Sequence, residues 1–282
     1  MLSRSSAPLK TIPNQSVSDI KVSPNCDRIG VLGSSKIFHH NSLSKYFEWD
    51  YLDNSLRYIQ LDGHKTLAVF ENLHIGHVTC AVFADASTLI TCGSDTTVCV
   101  WEFTNVKKPE LKLLTCMRGH RKKCISLSVS YSYSVVVSGG EDGVAIIWDL
   151  NRMHYVRSMN NHEGPVIYTS IHETTGDILT CCASAIRLWS INGELILTKS
   201  VLSLSMDPLT CCAFYEGRLA DAVDWNLIFT GHRRGQLKVW SKFFNTSIES
   251  ELNNVKGRWD LRCVRSFEST SLSPLTTIYF AP

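Results

Sequence analysis

The chain has 282 residues, and 28 Lys and Arg against 26 Asp and Glu give it a formal net charge of +2. So small a charge excludes a general electrostatic attraction to nucleic acid or to an anionic membrane as the main basis of binding. Hydrophobic residues make up 44% and charged residues 19%, which is typical of a globular chain and not of a disordered one. The N-terminal run MLSRSSAPLKTIPNQ lacks the apolar core of a signal peptide, so we expect a cytoplasmic protein.

Four segments repeat one pattern, in which an apolar strand ends in Ser or Thr, a Gly- or Ala-rich turn follows, and an alternating strand closes on Trp. They span residues 89–101, 135–150, 178–191 and 228–240, and their tryptophans are Trp101, Trp148, Trp189 and Trp240. The steps between these tryptophans are 47, 41 and 51 residues. A weaker copy at 47–60 has Ile59 at the Trp position. A period of roughly 40 to 45 residues predicts the four-stranded blades of a propeller.

A further strand signal precedes each Trp-containing segment. These signals lie at residues 77–83, 124–129, 165–171 and 208–214. No part of the chain has a helical period over a long window, whereas alternation and β-branched residues are frequent. We therefore predict an all-β propeller with about five recognisable blades.

The turns and strand ends of these segments resemble WD40 repeats. Gly119-His120 and Asn161-His162 open repeats, and Trp148-Asp149 closes one. The run Ser-Ile-Asn-Gly after Trp189 and the run Thr-Gly-Asp at 175–177 resemble the C-terminal propeller of the beige/BEACH family. The resemblance is closest to fungal members and covers about residues 17–270.

The resemblance also sets expectations for the organisation of the chain. We expect a flexible lead-in over residues 1–16 and a WD40 propeller over residues 17–282, without the BEACH domain and the pleckstrin-like module of the family. The last residues, SPLTTIYFAP, look like the first strand of a further blade. We therefore predict an incomplete ring, truncated after that strand.

Two groups of polar residues have the spacing of the structural tetrad of a WD40 blade. In both, Asp follows Ser or Thr by four residues and precedes Trp by six; the groups are His74, Thr91, Asp95, Trp101 and His120, Ser138, Asp142, Trp148. A buried His that bridges a carboxylate, a hydroxyl and an indole N–H satisfies polar groups whose burial is otherwise costly. A hydrolase triad is the alternative, but the nucleophile elbow G-x-S-x-G is absent. We predict a structural role, no enzymatic activity and no cofactor.

The tetrad pattern weakens in the other copies. Ala183 and Arg234 stand at the Asp position of two of them, and Trp49 stands at the Ser or Thr position of the copy that contains Ile59. These blades are expected to depend on apolar packing and on their neighbours.

Basic residues gather in two loops, at Arg121, Lys122 and Lys123 and at Arg233 and Arg234. A solvated loop charge is one interpretation, and a patch that binds an anionic surface of a partner protein is the other. The Arg-Arg-Gly run at 233–235 resembles the signature of phosphoinositide-binding propellers, but it precedes a Trp strand and so has the wrong register. No aromatic residues are interleaved with either cluster, which argues against nucleic acid.

Eleven cysteines, an odd number at irregular spacing, favour free thiols in a reducing compartment. The vicinal pairs at 181–182 and 211–212 lie in predicted strands, where successive side chains point to opposite faces. Neither pair can therefore chelate one metal ion, and we predict no metal site.

Function is predicted from the fold and from the resemblance. A propeller without a nucleotide loop, metal cluster or activated nucleophile predicts a scaffold that binds other proteins through its faces. The resemblance implies a role in membrane trafficking and vesicle or vacuolar protein sorting, with peripheral membrane association through upstream domains. The alternative is a WD40 adaptor such as a substrate-recognition subunit of a ubiquitin ligase.

Overall fold

The computed structural model describes residues 20–22, 36–39, 45–49, 53–60, 62–104, 108–201, 207–215, 227–249, 256–268 and 275. These residues form twenty-one β-strands and one 3-10 turn at Asp62–His64, and the described part of the chain contains no α-helix. The prediction of an all-β fold is confirmed. The predicted lead-in at 1–16 and, apart from Leu275, the predicted strand at 273–282 lie outside the described residues.

The strands form five sheets that follow one another along the chain, here called blades I to V. Blade I contains β1 (Ile20–Val22), β2 (Lys36–His39), β3 (Lys45–Trp49), β4 (Leu56–Gln60) and β5 (Lys65–Phe70). Blade II contains β6 (Val78–Phe83), β7 (Thr88–Gly93), β8 (Thr97–Thr104) and β9 (Glu110–Arg118). Blade III contains β10 (Cys124–Ser130), β11 (Val135–Gly140), β12 (Ala145–Asp149) and β13 (His154–Met159).

Blade IV contains β14 (Tyr168–Ile171), β15 (Ile178–Cys181), β16 (Ala185–Trp189) and β17 (Leu195–Ser200). Blade V contains β18 (Leu209–Phe214), β19 (Leu227–His232), β20 (Leu237–Glu249) and β21 (Lys256–Phe267). Blades II to V are antiparallel meanders of four strands, and in blade I the short β1 adds a parallel partner to β2. This is the blade architecture of a propeller, and the described blades form an open arc.

Each blade has a β-bulge at the same place. The register between the third and fourth strands shifts directly before Trp101, Trp148, Trp189 and Trp240, and in blade I it shifts directly before Ile59. A bulge bends the strand and increases its twist, so the repeat in sequence corresponds to a repeat in backbone geometry.

The apolar core lies between consecutive blades. One cluster joins blades I to III, a second joins blades III and IV, and a third joins blades IV and V. Blades I and II meet through aromatic rings, with Phe47 lying 5.4 Å from Phe83 and 5.3 Å from Phe103 between ring centroids. Such pairs stabilise an interface beyond the area they bury, and they give blade I a packed neighbour although it lacks a tetrad.

Candidate interaction face

The four tetrad residues of blade II lie together in one hydrogen-bonded chain. Trp101 donates its indole N–H to Thr91 Oγ1 at 2.8 Å, and Thr91 Oγ1 lies 2.7 Å from His74 Nε2. His74 Nδ1 lies 3.0 Å from Asp95 Oδ1, and because an ionised carboxylate can only accept, the hydrogen of the neutral imidazole is on Nδ1. Nε2 then carries no hydrogen and accepts the O–H of Thr91. The chain of bonds therefore fixes one tautomer of His74.

Blade III has the same chain with a longer last step. Trp148 Nε1 donates to Ser138 Oγ at 2.8 Å, and His120 Nε2 lies 2.7 Å from the same oxygen. His120 Nδ1 lies 3.5 Å from Asp142 Oδ1, at the limit of a hydrogen bond. The closer contact of Asp142 is with the backbone N–H of Arg121, at 2.8 Å. This carboxylate therefore mainly secures the loop that precedes blade III.

Burial and hydrogen bonding set the charges of these groups. Desolvation lowers the pKa of His74 and of His120, and it outweighs the neighbouring carboxylates. Desolvation alone would raise the pKa of Asp95 and of Asp142, but hydrogen bonds from nearby N–H and O–H groups hold both pKa values below the usual one. At neutral pH the imidazoles are therefore neutral and the carboxylates are ionised. Both tetrad hydroxyls are 0% exposed, so neither can meet a substrate.

Blade IV contains a tetrad-like chain that the sequence analysis missed. Trp189 Nε1 donates to Thr180 Oγ1 at 2.8 Å, and the same oxygen lies 2.8 Å from His162 Nε2. His162 Nδ1 donates to the carbonyl of Gly143 at 2.9 Å, so a backbone carbonyl takes the role of the carboxylate. The expectation that this blade depends on apolar packing and on its neighbours is incomplete, because a buried polar chain that reaches the neighbouring blade III is added to the packing. The spacing of 18 residues between His162 and Thr180, equal to that between His120 and Ser138, is the signal that could have shown it.

Blade V builds a similar chain by a different route. Trp240 Nε1 donates to Thr230 Oγ1 at 2.9 Å, and His232 Nε2 lies 3.2 Å from that oxygen. His232 Nδ1 donates to the carbonyl of Asp207 at 3.0 Å. Here the imidazole comes from the second strand itself and follows the hydroxyl by two residues, so tetrad spacing could not reveal it. In this blade too a buried polar chain is added to the expected apolar packing.

In blade I the register differs from the alignment made on sequence. Glu48 lies opposite Arg57, so Glu48, and not Trp49, stands at the Ser or Thr position. Trp49 instead donates its indole N–H to the carbonyl of Thr79 at 3.2 Å and thereby links blade I to blade II. Asp53 is exposed and bonds to Ser55 and Arg57, whose hydrogen bonds lower its pKa to about 2.

One face of the arc carries the loops and turns that the tetrads hold. The loops that join one blade to the next lie on the same face as the turns between second and third strands, because the tetrad His of a loop meets the Asp of a turn. We call this surface the interaction face; it comprises loops 71–77, 119–123 and 160–167 and turns 94–96, 141–144, 182–184 and 233–236.

Both predicted basic groups lie on the interaction face. Arg121 and Lys122 are exposed, whereas Lys123 forms an ion pair with Glu141 at 2.9 Å. Arg233 and Arg234 are exposed in the turn of blade V, where their backbone N–H groups donate to Pro208 O and Asp207 Oδ1. On the same face the side chain of Ile75 is 92% exposed. The turn of blade IV borders a pocket of about 360 Å³.

The cysteines depart from the expectation that all are free. The structure joins Cys99 to Cys116 and Cys181 to Cys212 by disulfides. Cys99 and Cys116 stand directly opposite each other on β8 and β9, with Cα atoms 4.2 Å apart, and the second pair links blade IV to blade V. Sequence spacing could not show either pair, because their proximity arises from strand register and blade packing. Cys182, next to Cys181, is a free thiol.

The described residues contain no helix that is long and apolar enough to cross a membrane.

Comparison with known proteins agrees with this architecture. The family model described as WD domain, G-beta repeat, matches residues 61–102 and 111–149. BEACH domain-containing protein A2 of Arabidopsis thaliana is 32% identical over 219 residues, which are 76% of this chain and 6% of the relative. Beige protein homolog 1 of Schizosaccharomyces pombe is 28% identical over 262 residues, which are 90% of this chain and 10% of the relative.

A human relative is similar over a comparable length. The lysosomal-trafficking regulator of Homo sapiens is 31% identical over 250 residues, which are 84% of this chain and 6% of the relative. The chain thus spans a tenth or less of the length of these relatives. The repeats in the sequence, the blades in the structure and the relatives all indicate the same family. The chain is a WD40-repeat region of the beige/BEACH family.

Proposed function

We propose that the chain is a protein-interaction scaffold whose interaction face binds another protein in membrane trafficking. The observation that carries the proposal is the combination of a rigid base with exposed, unpaired side chains above it. His120 and Asp142 hold the loop before blade III from below, while Arg121 and Lys122 extend into solvent. The nearby loop of blade II presents Ile75 in the same way. Basic groups beside an exposed apolar side chain suit a partner surface that is acidic and partly apolar.

A non-catalytic role follows from how the polar residues are used. The tetrad imidazoles, hydroxyls and indoles bond to one another within blades II to V, and the hydroxyls are buried. A nucleophile needs a base within reach and also access to a substrate. The tetrad hydroxyls have an imidazole within reach but no access to a substrate.

The trafficking part of the proposal rests on the relatives. The printed name of the human relative describes a regulator of lysosomal trafficking. We infer that this propeller contributes a protein contact to a larger protein of that kind, located in the cytoplasm and associated peripherally with membranes through its other regions.

Affinity capture with the full-length parent protein tests the proposal. The double variant Arg121→Glu/Lys122→Glu reverses two charges on the interaction face, and Lys108→Glu/Lys112→Glu reverses two exposed charges near the outer strand β9 as a matched control. We expect the first variant, and not the second, to lose trafficking proteins that the wild type captures. Equal capture by both variants, or capture dominated by a ubiquitin ligase, would contradict the proposal.

A further inference from the structure

The outermost strand of blade V is longer than its counterparts and has an open edge. β21 has twelve residues, whereas the fourth strands of blades II, III and IV have nine, six and six. In the strand order of blade V, β21 lies last, and among the described residues only β20 pairs with it. The backbone N–H and C=O groups of its outer edge can therefore accept a further strand. This edge lies in the plane of the sheet, so a blade that packs on the face of blade V leaves it free.

Three arginines lie on one face of β21. Their cross-strand partners are alternate residues of β20, which share a face because side chains alternate along a strand. The pairs are Arg258 with Asn245, Arg262 with Ser241, and Arg265 with Val239. A β-bulge at Val264 keeps Arg265 on this face, because a spacing of three residues in a regular strand would turn its side chain to the other one.

The charges of these arginines are not neutralised within the described part of the chain. All three side chains are exposed, and none of the ion pairs among the described residues involves them. The one carboxylate of β21, that of Asp260, instead accepts a hydrogen bond from Lys199 of blade IV at 3.0 Å. The result is a positive row along an open strand edge.

Aromatic rings hold two of the three guanidinium groups. The Cζ atom of Arg262 lies 5.7 Å from the ring centroid of Phe243, and the Cζ atom of Arg265 lies 5.7 Å from that of Phe267. A guanidinium over a ring keeps N–H donors at its own edge, in the fork geometry that matches a carboxylate. Because these long side chains are already restrained, less conformational entropy is lost when a partner pairs with them.

We propose that the outer edge of β21 binds an acidic segment of another protein. The segment adds in extended conformation as a fifth strand of blade V and places carboxylates opposite Arg258, Arg262 and Arg265. Backbone hydrogen bonds along the edge supply affinity, and the opposite-charge pairs select an acidic sequence. The inference goes beyond the proposed scaffold function, because it adds a contact at the rim of the arc and outside the interaction face.

The strand edge favours a polypeptide over other anionic partners. Nucleic acid and lipid headgroups carry negative charge, but they lack the alternating backbone donors and acceptors that match a strand edge. A second copy of this chain, paired through the same edge, would place one row of arginines beside another, and like charges opposite each other destabilise a strand pair. Charged side chains on an edge thus prevent self-pairing, and the same charges favour an acidic strand.

Peptide probes test the edge without the natural partner. The probe is the fluorescein-labelled peptide Glu-Val-Glu-Val-Glu-Val-Glu, and its binding to the purified chain is followed by fluorescence anisotropy. One control peptide has Gln in place of Glu, and the other has every backbone amide N-methylated. We expect saturable binding of the Glu peptide and binding at least about tenfold weaker for each control, because the first loses the charge pairs and the second the edge hydrogen bonds. Equal binding of either control would overturn the proposal.

Paired variants locate the site on β21. Arg262→Gln/Arg265→Gln should weaken binding of the Glu peptide about tenfold. The matched control is Arg152→Gln/Arg157→Gln, which neutralises two exposed arginines in and next to the outer strand of blade III and should leave binding unchanged. The reversed variant Arg262→Glu/Arg265→Glu should bind the corresponding Lys peptide more tightly than the wild type does. Equal losses in the two Gln variants would indicate diffuse charge attraction and contradict the assignment of the site.

Cys263 gives an independent readout on the same strand. Of the free cysteines among the described residues, it is the exposed one. We expect the Glu peptide to slow the alkylation of Cys263 in the native chain, as mapped by mass spectrometry, and the Gln peptide to leave it unchanged. Unchanged alkylation at a saturating concentration of the Glu peptide would mean that the peptide binds elsewhere and would overturn the proposal.

Two further measurements test the other occupants of the edge. Phosphatidylserine vesicles are compared with the Glu peptide, and sedimentation velocity compares the wild type with Arg262→Gln/Arg265→Gln. We expect the vesicles to bind more weakly than the peptide and the variant to leave the association state unchanged. Tighter binding of the vesicles through these arginines, or a dimer that the variant abolishes, would assign the edge to a lipid surface or to a second copy instead.

Discussion

At the scale of single residues, two aspartates at the same spacing have different structural roles: Asp142 and Asp53 each lie six residues before the Trp position of their blade, but only blade III has a tetrad. Asp142 accepts the Arg121 N–H in a half-buried position, whereas Asp53 lies in an exposed turn. We expect Asp142→Ala to lower the free energy of unfolding by about 1 to 3 kcal/mol, because the N–H groups of Arg121 and Val144 lose their acceptor and the buried His120 loses the carboxylate beside it. Asp53→Ala should cost clearly less. Denaturant titration of both variants measures the difference, and equal losses would contradict the assignment of the tetrad in blade III.

The second prediction at this scale concerns pH. The pKa of His162 is lowered from 6.5 to about 4 in the folded chain, so the unfolded chain binds a proton more readily between these values. Its contribution to stability is therefore present above about pH 6.5 and is lost as the pH falls to about 4. The slope of the unfolding free energy against pH measures the number of protons taken up on unfolding, and His162→Gln should reduce that number by up to about one.

Urea titrations between about pH 7.5 and pH 4.5 give this slope for the variant and the wild type. His74, His120 and His232, whose pKa values are also lowered by burial, should maintain a remaining slope in the variant. An identical slope in both proteins would show that His162 is not held neutral by its surroundings.

At the scale of strands and blades, the repeated sequence pattern predicts the blades. It does not predict the polar chains in which a backbone carbonyl, or a His from another position, replaces a tetrad residue. The alternation before Trp101 and Trp148 and the spacing to Asp95 and Asp142 predict blades, because strands with one buried face need period-two patterns. His232 bonds to Thr230, only two residues away, so no tetrad spacing reveals it. The same limit applies wherever a backbone carbonyl replaces a side chain, since sequence does not display carbonyl positions.

Blade packing makes its own prediction. Lys242 of blade V pairs with Asp177 of blade IV at 2.6 Å, with side chains 12% and 14% exposed, and it lies 4.9 Å from the ring centroid of Trp259. Lys242→Met should lower the free energy of unfolding by roughly 2 to 3 kcal/mol, because it leaves a half-desolvated carboxylate unpaired. The exposed pair of Lys112 and Glu102, at 3.6 Å, is the matched control, and Lys112→Met should cost about 1 kcal/mol or less.

A double-mutant cycle with Asp177→Asn isolates the pairwise part of this loss. A coupling energy near zero would mean that Lys242 acts through packing on Trp259 and not through the ion pair.

At the scale of the whole molecule, covalent links connect and brace the blades. Of the ten cysteines among the described residues, four are in disulfides and six are free thiols. Alkylation of the denatured, oxidised chain should therefore leave Cys99, Cys116, Cys181 and Cys212 unlabelled, and alkylation after reduction should add eleven labels by mass. Eleven labels before reduction would show that the chain in solution is fully reduced, as the cysteine spacing alone predicts.

The open arc leads to the last prediction. Strand pairing and blade packing stabilise a propeller only where each blade has a neighbour on both sides, as in other repeat folds. Among the described residues no further sheet packs on the side of blade V that faces away from blade IV, and an uncovered blade promotes association with another chain.

We therefore expect the 282-residue chain to self-associate in sedimentation velocity and to unfold over a broad range of denaturant. A chain extended after Pro282 by one or two further repeats should be more nearly monomeric and should unfold more cooperatively, because the added blade covers the exposed face of blade V. An extension of equal length with a scrambled sequence is the control, since it adds mass without a blade. If the unextended chain sediments as a monomer and unfolds in one sharp transition, its own residues cover that face, and the inference from the open arc is wrong.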